Sequence, residues 1–137
     1  MLDDLETIIT LLYESGVKVG YVDYRKAQST FEIVSILASE IGLLHLPYNE
    51  RCSRMQFLDG MIGLSHRENG VLLFVDHAYD WILTDRREAF NFIETFLTQA
   101  DDWLLKNKPC HLLLQIEADD RVEQVFRICK SKFTSQI

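Results

Sequence analysis

Asp76 and His77 come nearest, by residue type and position, to catalytic machinery. They follow the apolar run Val71-Leu72-Leu73-Phe74-Val75, and Asp80 lies about one helical turn further on. An acid and an imidazole at the C-terminal end of a strand occupy the place where ligands and catalytic groups gather in open α/β sheets. With Asp80 they would make a small hydrolase or a metal-assisted enzyme, provided the three side chains met on an open cleft. A triad also needs a nucleophile, and neither Ser65 nor any cysteine stands in an elbow or thiol motif. His45, His66 and His111 lack the spacing that gathers metal ligands, and Cys52, Cys110 and Cys129 are scattered and odd in number. No glycine-rich phosphate loop follows any apolar run. The expectation is no catalytic residue, no metal and no cofactor, with Asp76 a cap, His77 a packed side chain and the thiols buried.

The elements that position these residues come from periodicity. Val71–Val75 is bounded by the turn signal Glu68-Asn69-Gly70, and His111-Leu112-Leu113-Leu114-Gln115-Ile116 is a second run of strand length. Between them the segment from Arg86 to Leu105 carries Phe92, Ile93, Phe96, Leu97, Ala100, Trp103 and Leu104 at helical spacing, all expected to be buried. Asp85-Arg86-Arg87-Glu88 has a capping-type start, and Asp76 to Trp81 is expected to form a loop or short turn. Two apolar runs joined by a helix make a right-handed βαβ unit. Upstream, Leu2, Leu5, Ile8, Ile9 and Leu12 share one face of a helix that Gly16 closes, and Val17–Asp23 alternates as a first strand. Ser29-Thr30-Phe31-Glu32 is a capping box opening a helix to about Ile41, with Phe31, Val34, Leu37, Ala38 and Ile41 inward. A connector, Leu43 to Glu50, leads to a helix ending near Leu64. Gly60 and Gly63 each cost that helix about 1 kcal/mol relative to alanine, a cost accepted where a backbone or a partner approaches closely. Asp119-Asp120-Arg121-Val122-Glu123 starts a last helix with Val122, Val125, Phe126 and Cys129 inward. The expected architecture is one α/β domain over residues 1–137, a three-stranded parallel sheet packed with helices.

Twenty-one acids against fourteen bases give a formal charge of −7. That balance disfavours direct binding of nucleic acid, which needs basic surface to displace counterions, and suits a basic partner drawn in by long-range attraction. The acidic N-terminus is unlike a signal peptide, and no apolar run approaches the ~20 residues of a membrane span. A cytoplasmic protein that meets no membrane is expected, in a compartment that keeps thiols reduced.

The order of strand, helix, Pro-Tyr connector, aspartate-bearing helix, strand, long helix and strand resembles the barstar family of ribonuclease inhibitors. The similarity runs from about Val17 to Gln115. It is clearest where Val75-Asp76-His77-Ala78 leads through Glu88-Ala89-Phe90, Phe96-Leu97 and Trp103 to Pro109-Cys110-His111-Leu112-Leu113-Leu114. The first and last helices are additions. The resemblance implies an immunity protein or antitoxin, not an enzyme, that plugs a toxin with an acidic, aromatic surface, the toxin being a nuclease with a basic site. It places that surface on Tyr48 and Glu50 of the connector and on Gln56 and Asp59 of the next helix, with Gln99 and Asp102 flanking. Asp59 would imitate substrate phosphate and Tyr48 would anchor. Ser53 stands where the family has asparagine, Met55 where it has its first aspartate and Gly60 where it has cysteine; Arg51 and Arg54 lie nearby. A third reading is an adaptor that keeps the fold and uses the added end helices to oligomerise. The sequence leaves the oligomeric state open.

Overall fold

The computed structural model describes residues 2–43, 53–117 and 120–134. Strands β1 (Lys18–Asp23), β2 (Val71–Asp76) and β3 (Cys110–Leu114) form a parallel sheet in the order β1-β2-β3. Every residue of β2 is buried, as a central parallel strand with both faces covered requires. Its side chains alternate between two cores. Val71, Leu73 and Val75 join Val22 of β1 and Cys110 of β3 beneath α3 (Thr30–Glu40), α4 (Ser53–Leu64), α5 (Ala78–Thr84) and α6 (Arg86–Leu105). Leu72 and Phe74 join Val19 beneath α1 (Leu2–Glu14) and α7 (Asp120–Thr134). The result is a three-layer α/β arrangement in which the added end helices form the second cover of the sheet.

Local chemistry explains most boundaries. Gly16, at φ +79°, closes α1 in the left-handed conformation that glycine adopts freely. Ser29 accepts the Glu32 amide at 3.1 Å and caps α3, and Val34, Leu37, Ala38 and Ile41 are buried as their spacing demands. In α7, Val122, Val125, Phe126 and Cys129 all face inward.

Four expectations need correction. The stretch after β2 is not a loop: α5 spans Ala78–Thr84, entered through His77 at φ 57°, and a further short helix, α2 (Tyr24–Ala27), follows β1. The last strand runs from Cys110 to Leu114, one residue earlier at its start and two at its end. Asp85 precedes α6 but makes no side-chain cap; its carboxylate instead accepts the Thr30 hydroxyl at 2.6 Å and the Thr30 amide at 3.2 Å. Leu97 and Leu104 are not core residues, being 56% and 69% exposed, because β3 is the sheet edge on their side and Phe92, Phe96, Gln99 and Trp103 supply the buried face.

The Thr30 hydroxyl also accepts the buried Trp81 indole N–H at 2.9 Å, so one side chain ties α3, α5 and the start of α6 together. Removing it leaves a buried donor and a charged acceptor short of a partner, at about 1–3 kcal/mol. Thr30→Val, which keeps the shape, is expected to lower the urea-unfolding free energy by about that amount, with an unchanged slope against denaturant.

Candidate functional site

Helix α4 is apolar on two sides. Phe57, Met61 and Leu64 turn into the core, where Phe57 meets Phe92 of α6 edge-on with ring centroids 5.3 Å apart. Gly60 is on the same buried side because Leu43 lies against it: a Cβ there would stand 2.9 Å from Leu43 Cδ1. On the opposite side Met55, Asp59 and Ile62 follow one another at i, i+4 and i+7, one row of a helix surface. Met55 is 59% exposed, Ile62 44% exposed, and Asp59 between them is exposed as well. Gly63 beside this row would carry a Cβ into open space, so its missing side chain leaves room outside the fold, whereas Gly60 makes room within it. A helix with apolar residues on both faces has one face in the core and another suited to a partner.

Gln56 is half-buried on the same helix. On α6, Gln99 is buried and its amide lies 3.5 Å from the exposed Asp102 carboxylate. Gln99 therefore reaches the surface through Asp102, which is the group available for contact. Lys106, on that flank of α6, donates to Ser65 Oγ at 2.7 Å just past the end of α4, and Lys108 donates to the Ser65 carbonyl at 2.6 Å. These bonds fix the α4 and α6 ends relative to each other, and cations near a helix C-terminus are favourable. Tyr48 and Glu50 lie outside the described residues. The sequence reading missed Met55 and Ile62 as surface groups; the signal for them was the apolar row running opposite Phe57, Met61 and Leu64.

The strand-end constellation is differently composed from the expected one. Asp76 and His77 are buried, whereas Asp80 is exposed and does not join them. Asp23, at the end of β1 and paired in register with Asp76, takes its place. Asp76 Oδ2 accepts the Tyr21 hydroxyl at 2.8 Å and Oδ1 accepts the His77 amide at 2.9 Å. His77 Nδ1 lies 3.0 Å from Asp23 Oδ1 and 3.6 Å from Asp76 Oδ1, ion-pair distances without hydrogen-bond alignment. Arg25 closes the group, donating its amide to Asp23 Oδ1 at 2.9 Å and Nη2 to Oδ2 at 3.0 Å. Burial, then the hydrogen bond to Asp76 and the surrounding carboxylates, push the Tyr21 hydroxyl well above its ordinary range. The three side chains Asp23, Asp76 and His77 retain only 2%, 1% and 6% exposure, so the group is sealed and its evident work is to neutralise charge at the strand ends.

Among the described residues no group of His, Cys, Asp and Glu could hold a metal ion, and no helix is long and apolar enough to cross a membrane. Cys110 and Cys129 are free and buried, and burial pushes the Cys110 thiol up to about 12, far from the reactive thiolate. No family model matches the chain, and no characterised protein or solved structure matches it significantly.

For Asp23, burial raises the carboxyl pKa, but the Arg25 side-chain and backbone hydrogen bonds, with the His77 and Arg25 charges, hold it below the ordinary 3.8. A depressed folded value stabilises the fold above the unfolded pKa and loses that contribution as pH falls through the folded value. The stability gap between wild type and Asp23→Asn is therefore expected to be full above pH 3.8 and to close below it. Urea titrations repeated from neutral to strongly acidic pH check this; a gap constant over the whole range would contradict it.

Proposed function

We propose that this chain is a cytoplasmic immunity protein or antitoxin of the barstar-like kind, which works by binding and blocking a toxin, a nuclease, and not by catalysis. The observation that carries the reading is the outer row of α4, where an exposed carboxylate, Asp59, stands between two exposed apolar side chains, Met55 and Ile62. The arrangement of β1, α3, α4, β2, α6 and β3 around a parallel sheet also agrees with the order of elements the family resemblance implies. The surplus of seven negative charges favours encounter with a basic partner.

In this reading Asp59 enters the toxin's basic cleft as a phosphate substitute. Met55 and Ile62 exclude water around it, so that the Coulomb attraction acts in a lower dielectric. Tyr48 and Glu50 precede α4 in the sequence and would join it in the contact, with Gln56 on α4 and Asp102, backed by Gln99, on the adjoining flank of α6. Met55 in place of an acid shifts part of the recognition from charge to apolar contact. The toxin's matching surface then carries a hydrophobic seat beside its cationic site, and binding depends less on salt than with two carboxylates.

The test begins with co-purification of the chain with the product of the adjacent gene and an assay of that product's nuclease activity. Asp59→Ala is expected to weaken binding about thirtyfold or more, as for a central contact residue, and Met55→Ala to weaken it with little change in salt dependence. Circular dichroism should remain native, since both residues are exposed. If Asp59→Ala combined with Tyr48→Ala left affinity and inhibition unchanged, the site assignment would be wrong.

A further inference from the structure

Every glycine but one has a reason inside the fold. Gly16 and Gly42 adopt a left-handed φ, +79° and +78°, that other side chains resist. At Gly20, Gly60 and Gly70 a Cβ would stand 3.1, 2.9 and 2.7 Å from atoms of Leu73, Leu43 and Pro109. Gly63 has neither reason. Its φ is not left-handed, and a Cβ there would meet nothing within 4 Å. Alanine would take the same helical conformation and favour it, because glycine loses more backbone freedom on folding. Nor is Gly63 the residue that ends the helix, since α4 continues to Leu64 and the His66 amide donates to the Gly63 carbonyl at 3.2 Å. This glycine weakens α4 without serving the isolated fold.

Its place on α4 shows where the space lies. Gly63 follows Asp59 by four residues, so the two are neighbours on the helix surface. Ile62, 44% exposed, continues the outer row beside it, and Gln56, two turns earlier, shares its column. Among the described residues nothing pairs with the exposed Asp59 carboxylate. Bare helix backbone is thus presented next to a carboxylate without a partner.

We infer that a main-chain segment of the toxin crosses α4 over Gly63, in contact with the helix backbone. The inference rests on the toxin reading of this face and adds how the partner approaches it. A partner side chain turns aside from a methyl group at little cost. A peptide unit held within the partner's own fold does not, and glycine is the residue that permits such an approach of two backbones. The neighbouring charge agrees. A segment crossing at Gly63 brings its side chains within one helical turn of Asp59, and a cationic segment complements both that carboxylate and the surplus of seven negative charges. Gln56 adds a carboxamide to the same column, a group able both to donate to and to accept from a peptide unit. Gly63 is on this account a specificity-determining residue, and even alanine there holds the partner away.

Gly63→Ala separates the fold from the contact. Its urea midpoint is expected to rise by roughly 0.3 M, as for a better helix former at an unobstructed position. Its affinity for the co-purified toxin, measured by isothermal titration calorimetry, is expected to fall about tenfold or more, and Gly63→Gln to abolish binding with native circular dichroism. A lower urea midpoint for Gly63→Ala would show that the fold itself uses the space, and would overturn the inference. Wild-type affinity in Gly63→Ala beside weakened affinity in Asp59→Ala would also overturn it, while leaving the toxin reading in place. Wild-type affinity in both variants would remove the toxin reading and this inference with it.

Discussion

The rest of the structure follows from the complete burial of β2. A strand buried at all six positions has apolar side chains on both faces, and each buried Val, Leu or Phe contributes about 1.5–3 kcal/mol only if that face is kept from water. Helices α3, α4, α5 and α6 cover one face, packed on Leu73 and Val75. Leu72 and Phe74 on the other face need a separate cover, which α1 and α7 provide through Ile9, Val122, Val125, Phe126 and Cys129. The end helices are thus structurally required by the strand they cover, and Phe126 marks the junction by packing on both Tyr21 and Phe74, with ring centroids 4.8 and 5.0 Å apart.

The same burial creates an electrostatic demand at the strand ends. Asp23 and Asp76 are brought to neighbouring strand ends by the parallel register, and two buried carboxylates so placed are unfavourable unless counter-charges and donors meet them. Tyr21, Arg25 and two backbone amides do this, and the His77 ring lies 3.0 Å from Asp23 Oδ1. His77 is held at φ 57° with its amide on Asp76, a backbone conformation that histidine tolerates better than most side chains. A constellation that looks catalytic in sequence is thereby accounted for as charge compensation within the fold.

How far the sequence disclosed the structure depends on whether the deciding neighbours were local. The β2 run, the Ser29 capping box and the inward face of α7 were legible because their signals lie within one element. Helix α5 was not, since seven residues give too few turns for periodicity to show, and its entry through a left-handed histidine imitates a loop. Asp85 matched a capping pattern, yet Thr30, 55 positions away, captured its carboxylate. Asp23 could not be assigned to the strand-end group without knowing that β1 pairs with β2 in that register. At the candidate site, Asp59 was legible as an exposed acid on a helix. Gln99 was misjudged as a surface group because its burial depends on how α6 sits against the sheet and α4.

Helices α4 and α6 make the same point about apolar periodicity, from which one usually infers a single buried face. In α4 the rows Phe57-Met61-Leu64 and Met55-Asp59-Ile62 are opposite one another, so burial of the first necessarily exposes the second. In α6 the stripe is continuous but wider than the surface available to it, because β3 ends the sheet and Leu97 and Leu104 extend past what β3 can cover. Excess apolar surface of this kind is unfavourable for an isolated chain, and its retention on two separate helices has a physical explanation if each surplus face meets another protein surface. The two surpluses differ in chemistry: the row on α4 is centred on the Asp59 carboxylate, whereas the α6 stripe borders an apolar groove against β3. Charge at the centre of the row, more than hydrophobicity, therefore distinguishes the outer face of α4 from the stripe on α6.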